Sequence, residues 1–353
     1  MAHIADFDPD DVGLDNGNYF GMPFTPDEAD LVLISAPWEV TASYGGGAAY
    51  APDAIIEAST QLDFYEAFAP DEWKRGIATA EIDYSIQDLN MVLRDDARRV
   101  MEHLEHGGKT TDESVRRKIE RINNASADIN ARLYTQAAEW LDRGKIVGMV
   151  GGDHSTPYGL IQAVSQRFPQ TGILHFDAHC DLREAYEGFR FSHASIMYNV
   201  LHDLPGVSGL VQVGVRDYCS AEARRAAEDP RVTLFSDRRL CEKRFSGSSW
   251  TQICTEIAER LPEQVYISFD IDALQPQYCP GTGTPVPGGL DFNEAVHLIE
   301  CVAGTGRRIV GFDLSEVAPS KESQWDANVG ARMLWKLCVT TLKTNSNANG
   351  NRL

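Results

Sequence analysis

The sequence predicts an α/β fold in which a parallel sheet is covered by helices on both faces. Short apolar runs alternate with helical patterns along most of the chain, which is typical of repeated strand and helix units. The apolar runs are continuous rather than interrupted by polar residues, as expected for strands that are buried on both faces. The length of 353 residues, 43% of them hydrophobic, is within reach of one large domain.

The apolar runs predict seven strands, at residues 31–37, 145–153, 171–179, 210–217, 232–236, 264–272 and 307–317. Helical patterns between them predict helices at residues 52–65, 158–168, 221–229, 250–261 and 292–304. The charged section from 91 to 143 differs, and residues 113–144 predict a long amphipathic helix after a polar turn at 106–113. Because no Pro/Gly-rich linker divides the chain, we expect one domain over 1–353, with an N-terminal arm at 1–25 and a disordered tail at 344–353.

Composition and charge narrow the class of protein. The formal net charge of −20 disfavours nucleic acid and anionic membranes as partners, because both repel an acidic protein. No apolar stretch approaches the roughly 18 residues of a membrane span, and the acidic N-terminus does not resemble a signal peptide. The seven cysteines are scattered and form no C-x-x-C pair, which favours reduced thiols and a cytoplasmic location.

Acidic and histidine clusters follow three of the predicted strands. His154 stands in Gly-Gly-Asp-His-Ser, where two glycines permit a tight turn after the strand. Asp177, His179 and Asp181 alternate with Ala178 and Cys180, so an extended segment would direct the three polar side chains to one side. Asp270 and Asp272 alternate in the same way, with Ser268 on the same face. Ligand sites in parallel sheets lie at the carboxyl ends of strands, where all three clusters fall.

The combined set of two histidines and four aspartates predicts a metal centre. Burying that many carboxylates without a cation would be costly. Six side chains are too many for one open catalytic ion, but they suit two ions with bridging carboxylates. An oxygen-rich set with a minority of imidazole favours Mn²⁺ or a comparable divalent ion over cysteine-bound zinc.

Four motifs in this order resemble the signatures of the arginase/agmatinase ureohydrolase superfamily. They are GGDHS at 151–155, DAHCD at 177–181, SFDID at 268–272 and PGTGTPVPGGL at 280–290, and the resemblance extends from about residue 31 to 338. It implies a three-layer α/β/α fold with a mostly parallel central sheet. It also implies a binuclear hydrolase that cleaves a guanidino C–N bond and releases urea and an amine.

The resemblance further implies individual roles. His154, Asp177, Asp181 and Asp270 would hold one ion, and His179, Asp177, Asp270 and Asp272 the other, with Asp177 and Asp270 bridging. Glu316 matches the family's substrate-binding glutamate, and a carboxylate is a suitable bidentate acceptor for a guanidinium. His193 matches the proton-shuttle histidine, and Thr284 is a further candidate contact to the substrate. The family also implies a homo-oligomer, either a trimer or a hexamer.

Two features depart from the family pattern. Gln275 replaces an aspartate that many relatives carry after the paired aspartates, and we expect altered turn hydrogen bonding rather than lost metal. Trp38 and Tyr44 replace smaller or basic residues, so they either narrow the mouth of the active site or pack against the sheet edge.

The substrate remains open among small guanidino compounds. In the loop 182–190, Glu184 or Glu187 could receive the distal ammonium of agmatine, whereas Arg183 or Arg190 could receive the carboxylate of a guanidino acid. The loop lacks the Asn- and Thr/Ser-rich run of arginases, so an agmatinase-like activity ranks first. Guanidine itself, possibly with Ni²⁺, ranks second, before guanidinobutyrate and formimidoylglutamate. A deacetylase with a single zinc and a non-catalytic partner subunit are the alternatives from other classes.

Overall fold

The computed structural model describes residues 7–346. Within them, eight parallel strands form one sheet in the order β2-β1-β3-β8-β7-β4-β5-β6. The strands are β1 (Leu31–Ser35), β2 (Ile77–Thr79), β3 (Ile146–Val150), β4 (Thr171–Phe176), β5 (Val207–Val213), β6 (Val232–Phe235), β7 (Gln264–Asp270) and β8 (Arg308–Ser315). The first six residues of the predicted arm and residues 347–353 of the predicted tail lie outside the described part of the chain.

Ten α-helices accompany the sheet in the described residues. They are α1 (Ala51–Ser59), α2 (Tyr84–Glu105), α3 (Glu113–Asp142), α4 (Tyr158–Arg167), α5 (Ile196–Asp203), α6 (Ser220–Glu228), α7 (Asp237–Phe245), α8 (Trp250–Ala258), α9 (Phe292–Gly304) and α10 (Trp325–Thr344). None of them is long and apolar enough to cross a bilayer.

Two hydrophobic clusters cover the two faces of the sheet. On β1, Leu31 and Leu33 belong to one cluster, while Val32 and Ile34 belong to the other. All five residues of this strand are buried, because helices cover both of its faces. The predicted α/β class and the three-layer arrangement are therefore confirmed.

All seven predicted strands and the long helix over 113–144 are present. Each ends earlier than predicted, and β5 also begins three residues earlier. The prediction missed β2, which has only three residues, and it did not identify α2, α5, α7 and α10 as separate helices. Asp83 caps the N-terminus of α2 by accepting a hydrogen bond from the backbone N–H of Ser85. The start of α2 was missed because this cap precedes the charged section 91–143, and only that section was searched for helix signals in this part of the chain.

The sheet register brings the ligand-bearing strand ends together. The four central strands are β3, β8, β7 and β4, and each is followed by one of the polar motifs. Val150 pairs with Leu314, Asp270 with Ser315, and Phe176 with Phe269, so the four carboxyl ends lie at one level. Side chains that are as many as 162 positions apart along the chain, such as His154 and Glu316, therefore meet at one edge.

Candidate metal centre

Two glycines allow the residues after β3 to pass close to the backbone of Trp38, in a neighbouring segment of the same chain. A Cβ on Gly152 would lie 1.9 Å from the carbonyl oxygen of Trp38, so a larger residue does not fit there. This close passage is fixed further by Asp153, whose backbone N–H donates to the same oxygen at 2.8 Å. His154 follows directly and is directed into the centre of the strand ends, where it is 1% exposed.

The first group of ligand-type side chains surrounds the imidazole of His154. Its Nδ1 lies 3.0 Å from Asp177 Oδ2, 3.2 Å from Asp181 Oδ2 and 3.2 Å from Asp270 Oδ2. All three carboxylates are buried. Behind the ring, Nε2 lies 2.9 Å from the hydroxyl of Ser268, as the shared face with Asp270 predicted.

The second group surrounds His179. Its Nδ1 lies 3.3 Å from Asp177 Oδ1 and 3.1 Å from Asp272 Oδ2. Asp177 thus faces both histidines, with one carboxylate oxygen toward each. All six residues that the sequence singled out as ligands lie in one connected cluster.

The convergence does not arise from strand alternation, as the sequence reasoning assumed. β4 ends at Phe176, and Asp181 lies in a loop with a left-handed backbone (φ 53°). Asp272 lies in a 3₁₀ turn after β7, and its N–H donates to Asp270 Oδ1 at 2.8 Å. Tight turns immediately after the strands therefore bring these carboxylates together.

The electrostatics of the cluster are those of crowded buried acids. Burial, together with the neighbouring Asp177, raises the pKa of Asp181 to about 8. Burial and the charges of Asp272 and Asp177 raise the pKa of Asp270 well above its usual range. Burial opposes the charge on His179, but Asp272 and Asp177 outweigh it and raise its pKa to about 12.

A cation would relieve this crowding, because divalent ions stabilise clustered carboxylates in their charged form. Ligand atoms of His154, His175, Asp177 and Asp181 lie within 4.8 Å of one another, as do those of Asp177, His179 and Asp272. Oxygen donors with a minority of imidazole suit Mn²⁺ and similar divalent ions. The residues present therefore fit a pair of such ions.

His175 belongs to the same cluster, and sequence reasoning missed it. Its Nε2 lies 2.9 Å from Asp177 Oδ2, and its Nδ1 lies 3.0 Å from the side-chain nitrogen of Gln212. That nitrogen also donates to the carbonyl oxygen of Cys180 at 2.7 Å, which fixes the orientation of the Gln212 amide. Nδ1 is then the acceptor, so Nε2 carries the proton and donates to Asp177. The sequence signal was available, because His175 and Asp177 are two positions apart.

Glu316 lies beside the cluster, at the end of β8. Its backbone is left-handed (φ 63°), and Oε1 accepts a hydrogen bond from the N–H of His154 at 2.8 Å. Within residues 7–346, no hydrogen bond reaches Oε2. Burial and the nearby Asp153 raise the pKa of Glu316 well above its usual range.

His193 lies near the cluster, in a short 3₁₀ turn (His193–Ser195). Its Nε2 lies 3.3 Å from the hydroxyl of Ser43, and its backbone N–H donates to Thr41 at 3.3 Å. Thr41 in turn donates to Asp153 at 3.1 Å. Burial, followed by the charges of His179 and Arg94, lowers the pKa of His193 to about 3.

A cleft of about 280 Å³ opens over the cluster. His179, Asp181, His193 and Thr284 form its inner part, and the Thr284 hydroxyl lies 3.5 Å from Asp272 Oδ2. The remaining residues of the wall are Ser43, Arg183, Tyr186, Ala194, Asp217, Tyr218, Cys219 and Glu222.

Four predicted substrate contacts do not line this cleft, and the first of them is Glu316, which lies beside the cluster. Trp38 is 1% exposed and packs in the hydrophobic core, so it does not narrow the mouth. Glu184 is exposed outside the wall. Glu187 lies in a turn with left-handed backbone (φ 54°) and is also outside the wall, with the charges of Glu105 and Arg94 nearby.

Other acidic groups face the cleft instead. Glu222 accepts hydrogen bonds from the N–H groups of Leu182 and Cys219, so its carboxylate is already engaged. The exposed carboxylate of Asp217 has no hydrogen bond or ion pair with residues 7–346. Sequence reasoning missed Asp217 because it lies after β5, outside the loop on which the specificity argument rested.

The departure at Gln275 affects the turn and leaves the ligands in place. Its side-chain oxygen accepts a hydrogen bond from the side chain of Gln277 at 3.0 Å, and its N–H donates to Leu290 at 2.9 Å. Asp270 and Asp272 remain in the cluster, and the change in turn hydrogen bonding relative to an aspartate stays a prediction.

Comparisons with known proteins agree with this site. The model of the arginase family matches residues 29–339. The N(1)-aminopropylagmatine ureohydrolase of Thermus thermophilus is 30% identical over 317 residues, which cover 89% of this chain and 91% of the relative. An agmatinase of Bacillus subtilis is 27% identical over 323 residues, covering 90% and 93%. The solved structure of proclavaminate amidino hydrolase from Streptomyces clavuligerus has a TM-score of 0.71 at 23% identity, covering 93% and 97%.

These findings confirm the predicted reaction class. The protein is a metal-dependent hydrolase that cleaves the C–N bond of a guanidino compound and releases urea. Enzymes of this kind use a binuclear divalent metal centre, and the His/Asp cluster supplies the ligand types for one. By the match over most of its length, the chain belongs to the arginase family.

Proposed function

We propose that this enzyme hydrolyses a small cationic guanidino compound of the agmatine type to urea and an amine, with Mn²⁺ as its metal. The observation that carries the proposal is a cluster of carboxylate and imidazole groups suited to metal beneath a cleft, together with Asp217 in the cleft wall, whose carboxylate has no partner among residues 7–346. The names of the relatives from T. thermophilus and B. subtilis point to the same substrate class.

The first group of contacts supplies the residues that would hold one ion, which are His154, Asp177, Asp181 and Asp270. The second group supplies His179, Asp177 and Asp272 for the other ion. The assignment of Asp270 to this second ion as well rests on the family resemblance. Divalent ions at such a site supply a hydroxide nucleophile at neutral pH, because they lower the pKa of bound water. The oxygen-rich ligand set favours Mn²⁺, and Ni²⁺ is the alternative to be tested beside it.

Glu316 orients the guanidinium. Its Oε1 is held by the N–H of His154, which leaves Oε2 to accept hydrogen bonds from the substrate. A planar guanidinium against a carboxylate forms strong, charge-assisted hydrogen bonds. Thr284 follows Gly283, which lies beside Glu316 Oε2, and its hydroxyl lies 3.5 Å from Asp272, so it is placed to contact the same group.

His193 serves the leaving amine. When the C–N bond breaks, the departing nitrogen needs a proton, and a histidine beside the reacting atoms is the usual carrier. The ring of His193 lines the cleft and is held by Ser43 and Thr41. It can therefore take the proton released by the attacking water and pass it to the amine.

The charges around the cleft favour a cationic tail over a carboxylate tail. Arg183 lies 3.6 Å from Glu222 and over the ring of Tyr186, so its positive charge is partly neutralised. Arg190 is paired with Asp203 at 2.9 Å. Asp217 lacks such a partner within residues 7–346 and is the carboxylate that we assign to the distal ammonium.

Guanidine is the second candidate, and the side wall of the cleft favours it. The ring of Tyr186 stands edge-on to His193, with 6.1 Å between ring centroids. An aromatic group so close to the catalytic histidine restricts the room for a tail on the substrate. Guanidine has no tail and would release urea and ammonia.

A substrate panel tests the proposal directly. Urea release is measured from agmatine, guanidine, guanidinobutyrate, guanidinopropionate and arginine, with formamide release from formimidoylglutamate, after separate reconstitution with Mn²⁺ and Ni²⁺. We expect the highest kcat/KM on agmatine with Mn²⁺. A preference for a guanidino acid would refute the assignment of Asp217, and preference for guanidine with Ni²⁺ would favour the second candidate.

We also propose that the chain forms one domain and assembles into trimers or hexamers, as the family resemblance implies. Native mass spectrometry measures the assembly, and a monomer would contradict this part of the proposal. Calorimetric unfolding with one cooperative transition would support a single domain.

A further inference from the structure

A tight turn carries the side wall of the cleft. The N–H of Tyr186 donates to the carbonyl of Phe189 at 3.1 Å, and the N–H of Phe189 donates back to Tyr186 at 2.8 Å. The two residues between them, Glu187 and Gly188, have φ values of 54° and 87°. These are the values of a type I′ turn, which favours asparagine followed by glycine. A glutamate at the first position is strained, so contacts from elsewhere must help to hold the turn.

The long helix α3 provides those contacts through Asn123. Its side-chain nitrogen donates to the carbonyl of Gly188 at 3.1 Å, and its side-chain oxygen accepts from the N–H of Arg190 at 2.9 Å. Donor and acceptor of one amide thus bind two backbone groups of the loop. The same helix approaches Gly188 so closely that a Cβ there would lie 2.6 Å from Ile119.

The turn connects the contacts of Asn123 to Tyr186 in the cleft wall. Tyr186 begins the turn, and its ring lies at 87° to the ring of His193. The guanidinium of Arg183 covers the Tyr186 ring at 4.7 Å from its centroid. Tyr186, Arg183 and His193 all line the cleft, whereas Asn123 does not.

We propose that Asn123 is a positioning residue that sets substrate selectivity by holding Tyr186 against the cleft. This inference rests on the proposed function, since it concerns which guanidino compounds reach the site. Asn123 itself touches no substrate. Loss of its two hydrogen bonds releases the strained turn, the Tyr186 ring moves away from His193, and bulkier guanidino compounds gain access.

The test compares agmatine with benzylguanidine, which carries a bulky group on the leaving amine. We expect Asn123→Ala and Tyr186→Ala each to raise the ratio of kcat/KM for benzylguanidine over agmatine by about tenfold, the scale of small changes in a binding pocket. Tyr186→Phe keeps the ring and should keep the ratio of the wild type. Asn124→Ala is the matched control, because Asn124 is the next residue of α3 and is exposed.

A double-mutant cycle separates positioning from a general structural effect. If Asn123 acts through Tyr186, then Asn123→Ala adds no further change in the ratio when Tyr186 is already alanine. Additive effects on the ratio, or an unchanged ratio in either single variant, would overturn the proposal. Asn123→Asp, which keeps the acceptor for Arg190, provides a milder variant should Asn123→Ala fold poorly.

Failure of the proposed function gives a different result. In that case the wild-type enzyme releases urea from neither compound. Binding of the two compounds is then compared through the melting temperature of the metal-reconstituted variants, because a ligand that binds the folded protein raises it. A larger shift with benzylguanidine in Asn123→Ala than in Asn124→Ala would still support the positioning role, and equal shifts would refute it.

Discussion

Asp177 joins the two halves of the metal cluster, since its two oxygens face His154 and His179. We predict that Asp177→Ala lowers bound Mn²⁺ from two ions per chain to fewer than one. The bridging carboxylate serves both ions, so its removal should affect both. Metal content after dialysis, measured by inductively coupled plasma mass spectrometry, provides the test. Asp95→Ala, which removes an exposed carboxylate from α2, is the control. Two tightly bound ions in Asp177→Ala would refute the bridge.

The preference for a cationic substrate is assigned to Asp217, which receives the distal ammonium. Asp217→Asn should raise the KM for agmatine about tenfold, which corresponds to ~1.4 kcal/mol of binding free energy. It should leave the KM for guanidine unchanged, because guanidine has no distal ammonium. Steady-state kinetics on both substrates measures the difference. Glu184→Gln removes an exposed acid outside the cleft wall and serves as the matched control, and equal effects of the two substitutions would contradict the assignment.

His193 is expected to act in proton transfer without holding metal. His193→Ala should keep two bound ions and lose roughly 10²-fold in kcat, the lower end of the usual contribution of a general acid or base. Metal content and turnover are measured on the same preparation. An unchanged kcat would rule out the proton-transfer role, and lost metal would indicate that the ring supports the cluster instead.

At the scale of elements, the pair β4 and β5 supports the cluster from behind. The side-chain nitrogen of Gln212 on β5 donates to Nδ1 of His175 on β4, which places the imidazole proton on Nε2. Nε2 then donates to Asp177. We predict that Gln212→Leu weakens Mn²⁺ affinity by about 10- to 100-fold, as is usual when a hydrogen bond behind a metal ligand is lost. Titration calorimetry of the metal-depleted protein measures the affinity. Wild-type affinity in this variant would mean that the His175 contact does not tune Asp177.

The elements that sequence could predict are those with strong local patterns. Seven continuous apolar runs identified seven strands, and helical spacing identified α3, whose predicted and observed starts coincide. The three-residue β2 is too short for a pattern, and α10 combines apolar residues on nearly all sides because it is deeply buried. Neither shows the periodicity on which the prediction relied.

The site could be predicted where ligands follow strands in sequence. His154, Asp177, His179, Asp181, Asp270 and Asp272 were all named beforehand, although the turns that direct them were not. Asp217 was missed because it lies outside the loop on which the specificity argument rested. Asn123 was missed because its importance depends on contacts between segments far apart in the chain. The two alternatives for Trp38 could not be decided from the sequence for the same reason, since burial against the sheet is not visible in its neighbours.

At the scale of the whole molecule, a parallel sheet aligns four strand ends and a cleft opens over them. The acidic surface, with a formal net charge of −20, favours the approach of a cationic substrate. Helix α3 lies outside the cleft wall, and the amide of its Asn123 is proposed to hold the turn that positions Tyr186 in the wall. Metal chemistry, substrate charge and substrate size are thus assigned to different elements of one fold.

The central claim is that two divalent ions at this cluster are needed to release urea. The most direct measurement is a titration of the metal-depleted enzyme with Mn²⁺ while urea release from agmatine is recorded. We predict that activity is absent without metal and reaches its plateau at two Mn²⁺ per chain. A plateau at one ion per chain, or urea release that does not depend on metal, would contradict the binuclear account.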